Sequence, residues 1–304
     1  MRKFISKYKK GFWEDKVFDG VNLVLMLVML VIFTWPLWFV FIASFSDPIA
    51  VNSGQVLLWS KDIVLDGYKM SFAHKELWNG YKNTIIYTVV GTLVNLVLSV
   101  CFAYPLSRKN FKLRKVFLLM FVFTMYFNGG LIPTYLTVKD VGLLSTGWAM
   151  IIPTAISVYN ALIIRSYFMN SIPGELEEAA TLDGANTAQY LWKVVLPLSK
   201  PVLAVVGLYY AVSHWNDYYH ALIYLYDESL YPLQTVLREL LMTSSSLVDA
   251  TESAADAEAI EAAFNTYLSM KYCVIILAAV PMLCIYPFIQ KFFVKGVMVG
   301  SVKG

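Results

Sequence analysis

A short polar segment, residues 171–201, holds the residue types and spacings in this chain that most directly point to a binding function. It interrupts long apolar stretches with a Glu-Ala-Ala triplet, an Asp-Gly-Ala triplet and a Leu-Pro pair. Alanine and glycine let another surface approach closely, and a glutamate among them offers a carboxylate to a cationic partner. The pattern predicts a docking surface; an amphipathic helix at the membrane interface is the alternative that composition leaves open. The candidate docking residues are Glu178, Ala179, Ala180, Asp183, Gly184, Ala185, Leu196 and Pro197.

A pair of helices is expected within this segment. Pro173 suits a first helical turn, where its missing N–H costs nothing, and the glutamates that follow are favoured by the helix dipole. Gly184 is predicted to end the first helix, because a helix end often needs a left-handed residue. Asn186 or Thr187 can begin the second helix, and Pro197 is predicted to end it.

A second set of polar and aromatic residues lies within the fifth long apolar stretch. At helical spacing, Tyr210, His214, Asp217 and Ala221 share one face. An ionisable group at that depth is costly unless it faces water or a partner, and a sugar would suit such a surface through its hydroxyls and C–H faces. The alternative is an aromatic belt at the outer interface, with the polar residues capping the helix. The candidate substrate-path residues are Tyr210, His214, Trp215, Asn216, Asp217 and Tyr218.

The composition places both sets of residues in a membrane protein. The chain of 304 residues is 58% hydrophobic and 15% charged, whereas soluble domains carry about 25% charged residues. Because lipid offers backbone groups no hydrogen bonds, each span is predicted to be helical, and the fold class is all-α integral membrane. The first apolar run is far longer than the apolar region of a signal peptide, so it is predicted to stay as a span. The six predicted spans are 21–45, 84–106, 114–136, 148–168, 201–225 and 271–292.

The distribution of basic residues predicts the orientation in the membrane. Seventeen Lys and Arg residues fall on the side that holds both termini and segment 171–201, and seven fall on the other side. The positive-inside rule therefore places both termini and this segment in the cytoplasm. The acidic connection 243–263 faces outward, either as a flexible loop or as a docking surface.

Several function classes find no support in the sequence. There is no phosphate-binding loop motif, no nucleophile-elbow motif and no zinc-protease motif, and the three cysteines and three histidines show no metal-ligand spacing. The net charge of +3 is too small to indicate a nucleic-acid partner. We therefore expect a chain that is not an enzyme, holds no metal or cofactor and receives energy from another subunit.

The spacing within segment 171–201 resembles a known transporter family. Glu178-Ala179-Ala180, three residues, Gly184, nine residues and then Val194-x-Leu196-Pro197 resembles the EAA loop of ABC-importer membrane permeases. The segments 215–217 (WND), 129–135 (GGLIPTY) and 295–304 (KGVMVGSVKG) resemble MalG-type carbohydrate permeases, and among them the LplB/YtcP-like oligosaccharide permeases. The resemblance covers nearly the whole chain, and the acidic outer loop matches least well.

This resemblance implies a fold, a location and a set of partners. The fold would be a six-helix permease domain at 21–292 of a bacterial cell membrane, with the EAA coupling loop at 169–200 between spans four and five. Cytoplasmic tails would occupy 1–20 and 293–304. The partners would be a second homologous permease, forming a heterodimer, two ATPase subunits that use ATP and Mg, and an extracellular solute-binding lipoprotein. The loop would form a coupling helix in which Glu178 meets a basic residue of the ATPase.

Two other transport functions stay open at this point. One is an ABC permease for a solute other than sugar. The other is an ion-driven secondary transporter with Asp217 as its cation or proton site, which would be expected to show inverted repeats and broken helices.

Overall fold

The protein is mostly helical in the part that the computed structural model describes, which is residues 13–251, 268, 270–285 and 287; the side chains of Glu14 and of residues 243–251 are outside this description. No strand occurs there, and Ser46 and Ile63 form an isolated antiparallel bridge. The tail residues 1–12, the residues 252–263 of the acidic connection and the tail 293–304 lie outside the described residues. The helices are α1 (Trp13–Ala43), α2 (Pro48–Asn52), α3 (Asp66–Ala73), α4 (Lys75–Ser107), α5 (Arg114–Tyr126), α6 (Leu131–Asp140), α7 (Val158–Asn170), α8 (Glu175–Leu182), α9 (Thr187–Tyr190), α10 (Leu196–Leu198), α11 (Lys200–Trp215), α12 (Tyr219–Tyr224), α13 (Leu233–Thr251) and α14 (Met270–Ile285).

The chain divides into two compact units, of which the first contains α1 and α2. Its buried cluster lies at the end of α1 and in the residues that follow, with Ile42, Ala43 and Val56 at its centre. Helix α1 is predominantly apolar from Val21 onward, and most of its large hydrophobic side chains are exposed. A helix that is apolar on every side is typical of a membrane span.

The second unit is built around α4, α7 and α11, which pack against one another. Its core contains Ala103, Ile164 and Val206, one from each of these helices, and each is fully buried. Helix α4 is continuous over 33 residues, so it spans about 50 Å at 1.5 Å per residue. It is therefore the longest rigid element of this unit among the described residues.

Among the described residues, not every predicted span is a single helix. Only α1 and α4 are long and apolar enough to cross a bilayer alone, and two bent helix pairs, α5 with α6 and residues 187–198 with α11, qualify if each pair counts as one span. The exact number of spans stays a prediction. Three of the six predicted intervals contain a break.

The break in the third interval, 114–136, follows from its glycines. Helices α5 and α6 meet at 113°, and Gly130 between them has a φ of +84°, which a side chain would strain. The Oδ1 atom of Asn128 accepts a hydrogen bond from the Gly130 N–H at 3.0 Å and holds the turn.

The fourth and fifth intervals are interrupted by irregular backbone. In 148–168, a short 3-10 turn at Gly147–Met150 is followed by a non-helical stretch that contains Pro153, and α7 begins only at Val158. In 201–225, α11 ends at Trp215 and α12 begins at Tyr219. Residues of both irregular segments line one cavity, which also contains polar side chains of α7 and α11.

Candidate functional site

The predicted helix pair in segment 171–201 is present, and its turn is closed by glycine. Helix α8 ends at Leu182, and Gly184 has a φ of +76°. The Gly184 N–H donates to the Thr181 carbonyl at 3.0 Å, and the Ala185 N–H donates to the Ala180 carbonyl at 2.9 Å. These two bonds form a Schellman motif, in which a left-handed glycine satisfies the last helical carbonyls. The prediction that Gly184 ends the first helix is confirmed.

The second helix of the pair begins with a capping box. The Asn186 Oδ1 accepts from the Gln189 N–H at 2.8 Å, and the Gln189 Oε1 accepts from the Asn186 N–H at 2.9 Å. This confirms the predicted start at Asn186. We call α8, α9 and the turn between them, residues 175–190, the coupling hairpin, after the role that the resemblance predicts for it.

The sequence predicted that Pro197 would end the second helix, but the structure shows that it does not. The chain continues through a π-helical turn at Leu191–Val195 and the short α10, and it bends by 79° only at Ser199. In the π turn the Leu196 N–H donates to the Leu191 carbonyl. Pro197 then falls in the first turn of α10, where its missing N–H is tolerated.

The coupling hairpin presents much of its predicted docking surface to solvent. Glu178, Ala179 and Asp183 are exposed, and the Leu182 side chain is 89% exposed. Ala180, Ala185 and Leu196 are half-buried, and Pro197 is exposed. Glu178 makes no ion pair within the described part of the chain, which leaves its carboxylate available.

Two of the predicted substrate-path residues, Tyr210 and His214, are held by α4. The Tyr210 hydroxyl lies 2.7 Å from the Ser99 hydroxyl and accepts from the Ser157 N–H at 3.1 Å. His214 Nε2 lies 2.7 Å from the Asn95 Oδ1. The Asn95 Nδ2 donates to a backbone carbonyl at 2.7 Å, that of Thr154, so the Asn95 oxygen must accept and His214 Nε2 must donate.

A cavity of about 540 Å³ opens beside these bonds, where the irregular backbone segments meet α11. We call it the polar cavity. It is lined by Pro153, Thr154, Ile156, Ser157, Asn160, Tyr210, Ser213, His214, Asn216, Asp217 and His220. Four of the six predicted substrate-path residues are therefore brought together: Tyr210, His214, Asn216 and Asp217.

Asp217 lines the cavity, but it does not extend the helical face of α11 as predicted. Helix α11 has already ended at Asn216, its C-cap. The Asp217 Oδ1 accepts from the His220 N–H at 3.2 Å, and its Oδ2 accepts from the His220 ring Nδ1 at 2.8 Å. Asp217 thus holds the first turn of α12 while its carboxylate borders the cavity. The choice between substrate contact and an aromatic belt stays a prediction.

Trp215 and Tyr218 are not among the residues that line the polar cavity. Trp215 is buried, and its Nε1 donates to the Ala278 carbonyl at 3.2 Å. Its ring meets Tyr81 edge to face at 6.5 Å. Tyr218 is exposed. Successive residues of one helix point about 100° apart. His214 therefore lines the cavity, whereas Trp215 packs between helices.

Sequence reasoning missed the partners of Tyr210 and His214. On α4, Gly91, Asn95 and Ser99 recur every four residues inside an otherwise apolar helix, and such a stripe of small and polar residues marks a helix contact face. The Cβ of an alanine at Gly91 would lie 2.5 Å from the His214 ring. The irregular segment 153–157 supplies backbone partners to Asn95 and Tyr210. Its sequence shows no comparable periodic pattern.

The comparisons with known proteins agree with this arrangement. Residues 80–299 match the family described as the binding-protein-dependent transport system inner membrane component. The chain belongs to this family. It is an ABC transporter permease subunit of the membrane and not an enzyme, which confirms those predictions and argues against an ion-driven secondary transporter.

Relatives cover almost the whole chain. Protein LplC of Bacillus subtilis is 39% identical over 289 residues, covering 95% of this chain and 96% of LplC. The polygalacturonan/rhamnogalacturonan transport system permease protein YtcP of Bacillus subtilis is 39% identical over 292 residues, covering 96% of this chain and all of YtcP. A crystal structure of a bacterial ABC transporter involved in the import of the acidic polysaccharide alginate contains a chain that is 35% identical, with a TM-score of 0.82 over 93% of this chain and 99% of that one. The resemblance to YtcP-like permeases is thereby confirmed.

Substitution of Gly91 tests the contact between α4 and α11. An alanine there would meet the His214 ring at 2.5 Å, and the ring cannot move without breaking its bond to Asn95. We expect Gly91→Ala to lower the free energy of unfolding by about 1–3 kcal/mol, measured as a lower midpoint of thermal denaturation in detergent. Gly20→Ala is the control, because nothing lies within 4 Å of an added Cβ there. Equal midpoints for the two variants would contradict the contact.

Proposed function

We propose that this chain forms one half of the transmembrane pore of an ATP-driven importer of carbohydrates, with complex oligosaccharides as its substrates. The observation that carries this proposal is the polar cavity, which lies among apolar helices and borders on hydroxyl, amide and carboxylate groups. Such groups can exchange hydrogen bonds with the hydroxyls of a sugar. The polysaccharides in the descriptions of YtcP and of the alginate transporter support the same class of substrate.

The proposed assembly contains partners that membership of the family implies in general terms. These are a second homologous permease as heterodimer partner, two ATPase subunits and an extracellular solute-binding lipoprotein. ATP and Mg would bind to the ATPase subunits, and this chain would hold no cofactor. The exposed coupling hairpin supports contact with an ATPase, because it offers an unpaired carboxylate at Glu178 beside exposed apolar surface at Leu182.

The proposed orientation places the hairpin and both termini in the cytoplasm. The excess of Lys and Arg on the side of the hairpin supports it. The polar cavity would then open toward the partner permease and the outer surface when the ATPases close.

Co-purification tests the assembly. The tagged chain, expressed in its own bacterium and extracted in mild detergent, is expected to bring down an ATPase and a second permease in stoichiometric amounts, identified by mass spectrometry. A preparation of this chain alone that accumulates solute under an ion gradient would contradict the proposed function.

Substitution of Glu178 tests the contact with the ATPase. Truncating one partner of a charge pair at an interface costs about 2–5 kcal/mol, so Glu178→Ala is expected to lower coupled transport by more than about tenfold. Uptake into proteoliposomes that contain the complete transporter is the measurement. Glu175→Ala is the matched control, since Glu175 is also an exposed acid in the first turn of α8. Equal uptake by both variants would exclude the assigned role of Glu178.

Substitution of Asp217 tests the polar cavity. A hydrogen bond to a charged group contributes about 1.5–3 kcal/mol, so Asp217→Asn is expected to lower the uptake of its sugar at low concentration by roughly tenfold or more. The assay uses a panel of fluorescently labelled neutral and acidic oligosaccharides. Asp140→Asn, which removes the same charge at an exposed site outside the cavity, should transport normally. If no member of the panel is transported but another solute is, the carbohydrate assignment fails.

A further inference from the structure

Arg108 connects α4 to the first helix of the coupling hairpin. It is the C-cap of α4, and its Nη1 donates to the Glu177 Oε2 at 2.8 Å. The Arg108 side chain is 15% exposed and that of Glu177 is 40% exposed, so the pair is partly shielded from water. The neighbouring Glu178 points to solvent. Adjacent glutamates of α8 therefore face different partners, one inside this chain and one outside it.

The same guanidinium also contacts the second helix of the hairpin. Its Cζ lies 4.6 Å from the centre of the Tyr104 ring and 5.3 Å from that of Tyr190, the last residue of α9. The Arg108 Nε and Nη2 atoms are buried and find no hydrogen-bond acceptor among the described residues. Aromatic faces attract a guanidinium, so the two rings compensate for the missing acceptors. The Tyr104 hydroxyl adds a bond of 3.4 Å to the Thr187 carbonyl of α9.

The opposite end of this connection is the polar cavity. Helix α4 runs without a break from the residue before Arg108 to Ser99 and Asn95, about 12 and 18 Å further along the helix at 1.5 Å per residue. Those two side chains hold Tyr210 and His214, which line the cavity. The other connection from the hairpin to α11 passes through a π turn and a bend of 79°, and it is less suited to transmit a rigid displacement.

We propose that Arg108 is a positioning residue that fastens both helices of the coupling hairpin to α4, so that a displacement of the hairpin moves α4 and with it the wall of the polar cavity. This inference rests on the proposed function, because the displacement originates in an ATPase. It adds a defined route, from Glu177 and Tyr190 through Arg108 and α4 to Tyr210 and His214. Glu178 receives the external contact, and Arg108 passes the resulting movement inward.

The test measures how ATP changes the cavity in the complete transporter. A single reporter thiol is introduced by Ser213→Cys, at an exposed residue that lines the cavity. The background replaces the native thiols by Cys101→Ala, Cys273→Ala and Cys284→Ala. In proteoliposomes, the rate of labelling by a charged maleimide is compared with and without Mg-ATP and vanadate. The ratio of the two rates reports ATP-driven movement and requires no knowledge of the transported sugar.

Removal of either partner of the ion pair should weaken this response. We expect Arg108→Gln and Glu177→Gln each to bring the ratio at least about fivefold closer to one, the lower end of typical allosteric couplings. The double variant should reduce the ratio of labelling rates no further than the more severe single variant does, because both changes break the same connection. Arg108→Lys keeps the charge but loses the planar stacking and should give an intermediate response. The matched controls Lys109→Gln and Glu175→Gln change the same charges at exposed neighbours and should respond like wild type.

Only complexes that elute as one species and retain their ATPase are compared. If Arg108→Gln fails to assemble, Glu177→Gln carries the test, because it leaves the arginine in place. A wild-type response in assembled Arg108→Gln or Glu177→Gln would overturn the role of Arg108. Absence of any ATP response in the wild-type complex would instead refute the proposed coupling, and this inference with it.

Discussion

The structure of the second unit depends on satisfying polar side chains that are buried between α4 and α11. In an apolar surrounding, a hydroxyl, amide or imidazole without a partner costs several kcal/mol, whereas each completed hydrogen bond adds only about 0.5–1.5 kcal/mol. The pairs Ser99 with Tyr210 and Asn95 with His214 meet this requirement at two successive turns. A shift of one helix along the other would break both pairs at once, so these bonds fix the register of α4 on α11. The close approach that they need is possible because Gly91 has no side chain.

The same register places a continuous helix between the polar cavity and the coupling hairpin, the two regions that the proposed mechanism couples. The middle of α4, at Asn95 and Ser99, holds the wall of the polar cavity. The C-terminal end of α4 carries Arg108 against the coupling hairpin. An ion pair on an exposed surface contributes little, but the guanidinium of Arg108 is largely shielded and stacked between aromatic rings. The contacts with the rings thereby fix the orientation of the guanidinium plane. The hairpin is thus held to α4 by an ion pair and by ring contacts together, which is the kind of connection that the proposed transmission through a two-state element requires.

Local signals were sufficient where the backbone itself determines the structure. Gly184 and Asn186 were placed correctly, because a left-handed C-terminal residue and an N-terminal cap act over only a few neighbours. Hydrophobic length gave the positions of the long helices α1 and α4. It could not show the breaks at 128–130, 151–157 and 216–218, because an apolar segment reads the same whether it is one helix or two helices at an angle. The sequence also could not show that Trp215 is buried against Tyr81 and the Ala278 carbonyl, because only tertiary packing determines which neighbour an aromatic ring meets.

These breaks have a physical reason that joins the fold to the proposed transport. Non-helical backbone at membrane depth is tolerated only where it is buried in protein or lines a polar cavity, since lipid cannot satisfy its N–H and C=O groups. The segment 151–157 meets this condition: the Thr154 carbonyl accepts from Asn95, and the Ser157 N–H donates to Tyr210. At the end of α11, Asp217 caps the start of α12 and borders the same cavity. The interruptions therefore add polar backbone groups and the Asp217 carboxylate to the polar side chains that α7 and α11 already present to the cavity.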